Sequence, residues 1–317
     1  MDLLRFALRK LLAGLPLILG VTLLSFTLMV YFGPDKTYQL LGKNPTPEQI
    51  AEIRHELGYD RPFVTRYVEY LRQLVTLDFG NSDSTGEEVN AVLARTIPVS
   101  LALELPGFIL GNLLAIGLAL TAGYFRGGWP DKLIMGLAVI GMSISFLIVI
   151  FAFQIWFCTS YGLDWFPVRG WKAENLAEYL RHIAVPTLAT MFVALGYSTR
   201  FYRAVIVEEL NRDHVRTARA YGTPPARLFY RNILKNCAIP IITRIMFTIP
   251  SIVIGGALLI ETTFGIPGVG KVAYEAIVSG DQPVLKAVVG LTALLFVVTL
   301  LITDILYRAV DPRVSIR

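Results

Sequence analysis

Apolar residues gather into six long runs along this chain, approximately 11–32, 98–122, 133–158, 183–206, 237–260 and 284–307, with charge concentrated between them. A helix needs about 20 apolar residues to cross the hydrocarbon core, where the only backbone hydrogen bonds available are those made within the segment. Every run meets that length, so the pattern predicts six membrane-spanning helices. The fourth is the weakest, because Arg200 and Arg203 interrupt its end, and their long side chains are expected to snorkel to the interface. No cleavage-site pattern follows the first run, which reads as a retained helix.

Two of the intervening segments carry patterns of their own. Near the start of 33–97, Thr46-Pro47-Glu48-Gln49 supplies an N-cap, a proline at the first helical position and a capping-box glutamine. Ile50, Ile53 and Leu57 then mark one face, and Gly58 stops the helix. A second helix is predicted from Pro62, with Phe63, Tyr67, Leu71 and Leu74 on one stripe. Packing over the spans is the expectation for both helices, and a docking surface for a soluble partner is the sharper alternative.

The loop between the fourth and fifth runs, about 200–236, contains Asn211-Arg212-Asp213-His214-Val215-Arg216-Thr217-Ala218-Arg219-Ala220-Tyr221-Gly222. Asn211 or Asp213 is expected to cap a short helix, and Gly222 with Thr223-Pro224-Pro225 to end it. Thr223 and Pro224 then open a second helix into the fifth span. Ala218, Ala220 and Gly222 present little side chain, so a partner surface can approach the backbone closely. Arg212, Arg216 and Arg219 offer charge-assisted contacts around it. Taken alone, such a basic amphipathic loop is an ordinary solvated face.

Charge orients the predicted spans. Loop 200–236 has eight Lys/Arg against Glu208, Glu209 and Asp213, whereas 33–95 has seven against ten Asp/Glu and 261–283 has one against three. Basic residues also mark the N-terminus (Arg5, Arg9, Lys10), the second loop (Arg126, Lys132) and the tail (Arg308, Arg313, Arg317). The positive-inside rule places both termini in the cytoplasm. Composition agrees with a membrane protein: of 317 residues 54% are hydrophobic and only 17% charged, against about 25% in soluble proteins. The net charge of +5 falls in particular loops, which suits membrane topology better than nucleic acid.

Candidate chemistry is sparse. Cys158 and Cys237 stand apart with no CxxC, and His55, His182 and His214 are scattered, so no metal site is predicted. No GxxxxGK[ST] loop cradles phosphates. Glu104 and Arg244 lie inside the second and fifth spans, each about 10 Å from a span end at 1.5 Å per residue. Buried charge in lipid is a functional hypothesis by default. The two fall on opposite sides of the membrane, so they are not expected to pair, and path lining stands level with a structural role for each. Asp304 reads as an anchor near the inner interface.

Several of these segments together resemble the permeases of the peptide/opine/nickel branch of binding-protein-dependent ABC importers. Val215 through Gly222, with Asn232 through Pro240, is similar to their cytoplasmic coupling loop. Glu261-Thr262-Thr263-Phe264-Gly265-Ile266-Pro267-Gly268-Val269-Gly270, then Asp281-Gln282-Pro283-Val284, is a second match. Asp304-Ile305-Leu306-Tyr307 with Asp311-Pro312-Arg313 is a third, and Pro47 to Gly80, with Glu56-Leu57-Gly58 and Asp78-Phe79-Gly80, is a fourth. The sequence departs from that pattern where Arg216-Thr217-Ala218 replaces Glu-Ala-Ala and where Tyr221 replaces a common basic residue.

The resemblance implies an all-α integral membrane protein of the bacterial inner membrane. Its parts are a first transmembrane helix within 1–32, an external helical segment over 33–97, a five-helix core over 98–310 with a coupling loop at 208–236, and a cytoplasmic tail over 311–317. It implies no catalytic residue or bound cofactor in this chain, with ATP and Mg2+ used by two cytoplasmic ATP-binding subunits. A second homologous permease and an external solute-binding protein complete the implied assembly, in contact with membrane lipid. Arg216, Thr217, Ala218, Arg219, Ala220 and Gly222 become the candidate ATPase-coupling residues, and Glu104 and Arg244 the candidate path residues. The implied cargo is di- or oligopeptides, with nickel or other metal chelates and opines as alternatives. An ion-coupled secondary transporter and a passive channel are the competing classes, although no internal repeat is visible.

Overall fold

The computed structural model describes residues 2–33, 37, 41, 46–56, 58–252 and 257–310, with backbone alone for 2–8, 11, 56 and 251. Leu57 and the Asp311-Pro312-Arg313 segment of the tail lie outside the described residues, as does 253–256 of the fifth run. The helices are α1 (Asp2–Phe32), α2 (Pro47–Glu56), α3 (Phe63–Thr76), α4 (Val89–Tyr124), α5 (Trp129–Ser143), α6 (Phe146–Cys158) and α7 (Leu176–Leu210). They continue with α8 (Asp213–Ala220), α9 (Pro225–Arg227, prolonged by π-helical turns over Leu228–Leu234), α10 (Ala238–Ser251), α11 (Ala257–Phe264), α12 (Val269–Ser279) and α13 (Gln282–Val310). Among the described residues the sole β feature is an isolated bridge between Asn81 and Glu88.

Four helices, α1, α4, α7 and α13, are each long and apolar enough to cross a bilayer. The other two expected spans are bent pairs: α5 and α6 meet at 99°, and α9 and α10 at 60°. Counting each bent pair as one span gives six, the number expected, although the second pair starts before the expected fifth run and ends within it. The expected loop 261–283 is itself mostly helical, since it holds the end of α11 and all of α12.

Apolar attraction does not drive helices together in lipid, so close backbone approach and hydrogen bonds must do so. The most extensive seam joins α4 to α7. Along it α4 presents Gly107, Gly111, Ala115, Ala119 and Gly123, a small residue every fourth position, all buried. A Cβ on Gly123 would lie 2.8 Å from Ile206 Cγ2, and one on Gly107 would lie 3.1 Å from Thr190 Oγ1. Crossing α5, Gly196 of α7 leaves no room either: its Cβ would meet the Ala138 carbonyl oxygen at 2.8 Å. Arg203 and Asp131 reinforce this crossing with two 2.6 Å hydrogen bonds. Arg203 thus pairs with the buried Asp131 carboxylate while its own side chain stays about a quarter exposed.

The insertion folds as its local signals dictate. Thr46 N–H donates to Gln49 Oε1 (3.0 Å) and Gln49 N–H to Thr46 Oγ1 (3.4 Å), the reciprocal capping box that opens α2. Pro62 precedes α3, whose Phe63, Tyr67 and Tyr70 rings gather around Phe26 of α1. Tyr70 also donates to the Lys286 carbonyl at 3.0 Å. α3 thus packs onto α1 and α13, as expected for it.

Three contacts fix which ends lie together. Lys10 pairs with Asp304 at 2.8 Å, Tyr307 meets Thr243 of α10 at 2.5 Å, and Cys237 and Ile241 share an apolar cluster with Val215 of α8. The start of α1, the end of α13 and α8 therefore occupy one end of the bundle, and the insertion occupies the other. The Gly196 crossing yields a direct test. Gly196→Val should lower the melting midpoint of the detergent-solubilised protein, at an overpacking cost of about 1–3 kcal/mol. Gly117→Ala, whose new Cβ has nothing within 4 Å, should not. Equal midpoints for both variants would contradict the assigned crossing.

Candidate functional site

The segment expected to couple to a partner forms a short helix lying between two longer ones. Asp213 in the first turn of α8 and Arg219 in the last complement the helix dipole. Neither Asn211 nor Asp213 supplies the expected cap. Arg212 occupies that position without a side-chain bond, and Asn211 instead closes α7 and accepts from Arg126 at 3.1 Å. Gly222, at φ +74°, ends the helix in the left-handed region that favours glycine. The next helix opens one residue later than expected, with Pro224 as its N-cap.

One face of α8 is anchored. Val215 is completely buried among Ala115 and Ala119 of α4, Tyr202, Ile206 and Leu210 of α7, and Leu228, Phe229 and Ile233 of the α9 segment. Ala218 packs against the same cluster. It faces the bundle, so it does not join the partner-facing small surface that the sequence suggested. Burying one such apolar side chain contributes about 1.5–3 kcal/mol, enough to hold an eight-residue helix that would be marginal alone. His214 ties α8 to its neighbours through Asn236 (3.0 Å) and Glu209 (3.2 Å).

The opposite face is open. Arg216, Thr217, Arg219, Ala220 and Gly222 are exposed, and Tyr221 is 87% exposed. Arg212 pairs with Glu208 at 3.2 Å and Arg216 with Asp213 at 3.6 Å, solvent-exposed bridges that contribute little. Arg219 lines a cavity of about 400 Å³ with Tyr124, Arg126, Asn211, Thr223 and Phe229, between the ends of α4 and α7 and the start of α9. Five of the six proposed coupling residues thus share one exposed surface.

Glu104 and Arg244 are not brought together. Arg244 is exposed on α10, with its guanidinium 5.9 Å from the Phe201 ring centroid. Glu104 is buried in α4, and its Oε1 has no hydrogen-bond partner.

One turn before Glu104 lies a constellation that the sequence flagged as a motif without assigning a role. Glu261 is completely buried and accepts from Ser100 Oγ (2.5 Å) and from Lys271 N–H (2.9 Å), so its carboxylate sits on the N-terminus of α12. Ser100 in turn accepts from Val269 N–H at 2.8 Å. A side chain at Gly268 would collide with the Glu261 carboxylate, and a Cβ on Gly270 would lie 2.5 Å from Leu258 N. The glycines of the motif are there to admit this carboxylate and to let α12 fold back on α11. Asp281 does similar work nearby: it accepts from Ser82 Oγ (2.5 Å), Ser84 N–H (3.1 Å) and Val284 N–H (3.4 Å), joining the loop before α4 to the start of α13.

Comparison with known proteins agrees with this architecture. Residues 111–316 match the family described as binding-protein-dependent transport system inner membrane component, and residues 3–104 match its N-terminal counterpart. A Brucella abortus protein named as a peptide transport system permease is 31% identical over 97% of this chain and 98% of its own length. The dipeptide transport system permease of Bacillus subtilis is 29% identical, covering 98% of both chains. The glutathione transport system permease of Salmonella paratyphi A is 29% identical over 98% of this chain and 99% of its own. Among solved structures, an inward-facing methionine ABC transporter shares the fold over 69% of this chain and 96% of its own, with a TM-score of 0.56 at 17% identity.

The buried cap predicts a graded loss. Ser100→Ala should destabilise the solubilised protein by about 1–3 kcal/mol, the cost of leaving a buried acceptor short of a donor. Gly268→Ala should destabilise it as well, by expelling the Glu261 carboxylate. Thermal melts that leave both variants at the wild-type midpoint would refute the cap.

Proposed function

Since this chain belongs to the binding-protein-dependent transport system inner membrane components, we propose that it is the permease subunit of an ATP-driven importer of peptides, working beside a second permease. The single observation that carries the mechanism is the two-faced α8. Its open face suits a cytoplasmic ATPase, and its buried face is set into the ends of α4, α7 and α9–α10. A displacement of α8 would therefore carry those helices with it, because a close-packed cluster transmits strain instead of absorbing it. ATP-driven closure of the ATPases would then rock the permeases between inward- and outward-facing states. An external binding protein would deliver the solute to the end that holds the insertion.

The cargo reading draws support from the relatives, which are named for peptide, dipeptide and glutathione transport, over metal chelates and opines. The basic loop around α8 supports a cytoplasmic location for that end, and hence for both termini. On this reading 33–97 lies outside and 98–310 forms the core.

Sidedness is open to thiol labelling, because both native cysteines are buried and give little background. An impermeant reagent applied to intact spheroplasts should label Glu52→Cys and spare Ala220→Cys. The reverse pattern would invert the topology. Coupling is tested by Ala220→Trp and Tyr221→Ala, which alter the open face of α8 without touching the Val215 anchor. Both should reduce peptide-stimulated ATP hydrolysis in the reconstituted transporter by roughly tenfold or more, the effect of losing one interface anchor. Undiminished stimulation in both variants would remove α8 from the coupling path.

A further inference from the structure

At the end opposite α8, α3, the α2–α3 turn and the start of α13 enclose a cavity of about 250 Å³. Its wall is rich in donors: Arg61, Arg66 and Lys286 carry positive charge, and Gln73 and Gln282 add amides. The one carboxylate in the lining, Glu69, is engaged by Arg61 at 3.4 Å. Neither Arg66 nor Lys286 has an ion-pair partner within 4 Å among the described residues. The charges of Asp83 and Glu69 both act on Lys286, without either forming an ion pair with it.

Both unpaired cations are held against one ring. The Arg66 guanidinium lies 5.9 Å and the Lys286 ammonium 5.6 Å from the Phe26 centroid, and Arg66 also stacks 5.0 Å from Tyr59. Cation–π contact stabilises each charge but does nothing for the repulsion between them. Partial burial also depresses the Arg66 pKa below its ordinary range, the sign of an under-solvated cation. Two half-buried like charges that share one cavity lining and feel each other's field, with two amide side chains in the same wall, form a site for a negative group.

We propose that this cavity binds an oxyanion, a phosphate group held between Arg66 and Lys286 with Gln282 as a neutral donor. A second cavity of about 760 Å³ adjoins it, sharing Tyr59, Arg66 and Gln282; its lining combines an apolar wall of Met29, Val30 and Ile50 with Arg54 and the His55–Asp60 pair. That apolar wall admits a phosphate carrying hydrocarbon as well as a free one. Lys286 is 18 residues from Asp304 along α13, about 27 Å at 1.5 Å per residue, which sets it near the headgroup level opposite the Lys10–Asp304 pair. The inference rests on the fold and not on the identity of the cargo.

The test is the melting midpoint of the full-length protein in zwitterionic detergent. One arm adds inorganic phosphate against chloride at matched ionic strength. The other adds phosphatidylglycerol against a diacylglycerol with the same chains. The wild-type midpoint should rise in at least one arm. In R66Q/K286Q the half-saturating concentration should rise about tenfold or more, the effect of losing a charge-assisted hydrogen bond. R66K/K286R, which keeps both charges, should retain the response. Without ligand R66Q/K286Q should keep the wild-type far-UV circular dichroism and a single cooperative melt; this separates loss of the site from loss of the fold. A response to phosphatidylglycerol alone identifies a lipid headgroup as the source, and a response to phosphate alone identifies a soluble one. A wild-type protein indifferent to both, or a double variant responding like wild type, overturns the proposal.

Discussion

Glu261 carries a carboxylate into a place with no water to solvate it, and the arrangement around it follows from that. A buried ion of this kind costs several kcal/mol unless hydrogen bonds replace its hydration. The replacements come from Ser100 on α4 and from the first turn of α12. Asp281 meets the same demand with Ser82, Ser84 and the first turn of α13. Each acid therefore fastens the last third of the chain to a segment far earlier in the sequence. These bonds are directional, and breaking one leaves a buried charge uncompensated.

The opposite end is held differently. Val215, Ile206, Phe229, Ile233 and their neighbours form an apolar cluster in which contacts depend on area more than on angle. Such packing can shift between discrete arrangements without stranding a polar group. The Lys10–Asp304 and Thr243–Tyr307 contacts add directional bonds at this end, and the apolar cluster under α8 is the part that suits the proposed rocking motion. The Arg203–Asp131 pair and the glycine crossings hold α4, α5 and α7 together.

Features set by neighbouring residues were legible in the sequence. The α2 capping box, the Pro62 start of α3 and the Gly222 stop of α8 depend on bonds within a few residues, and each lies where its local chemistry places it. Features set by distant partners were not. Arg203 reads as a snorkelling cation until Asp131, 72 residues away, is brought beside it. Glu261 reads as one letter of a motif because Ser100 is 161 residues away. The inward turn of Ala218 depends on where α4 and α7 end. The 99° break between α5 and α6 has no proline or glycine at Ile144-Ser145 to announce it. The ladder from Gly107 to Gly123 is legible in the sequence as small residues at four-residue spacing, a signal of close helix contact.

On the proposed function, the open face of α8 is a docking surface within a larger transporter. Purifying the chain by an affinity tag from its native membrane in mild detergent, and identifying its companions by mass spectrometry, tests this most directly. The account predicts a second permease of the same family and an ATP-hydrolysing subunit in stoichiometric amounts. A chain recovered alone, or only with copies of itself, under conditions that preserve its own fold would contradict it.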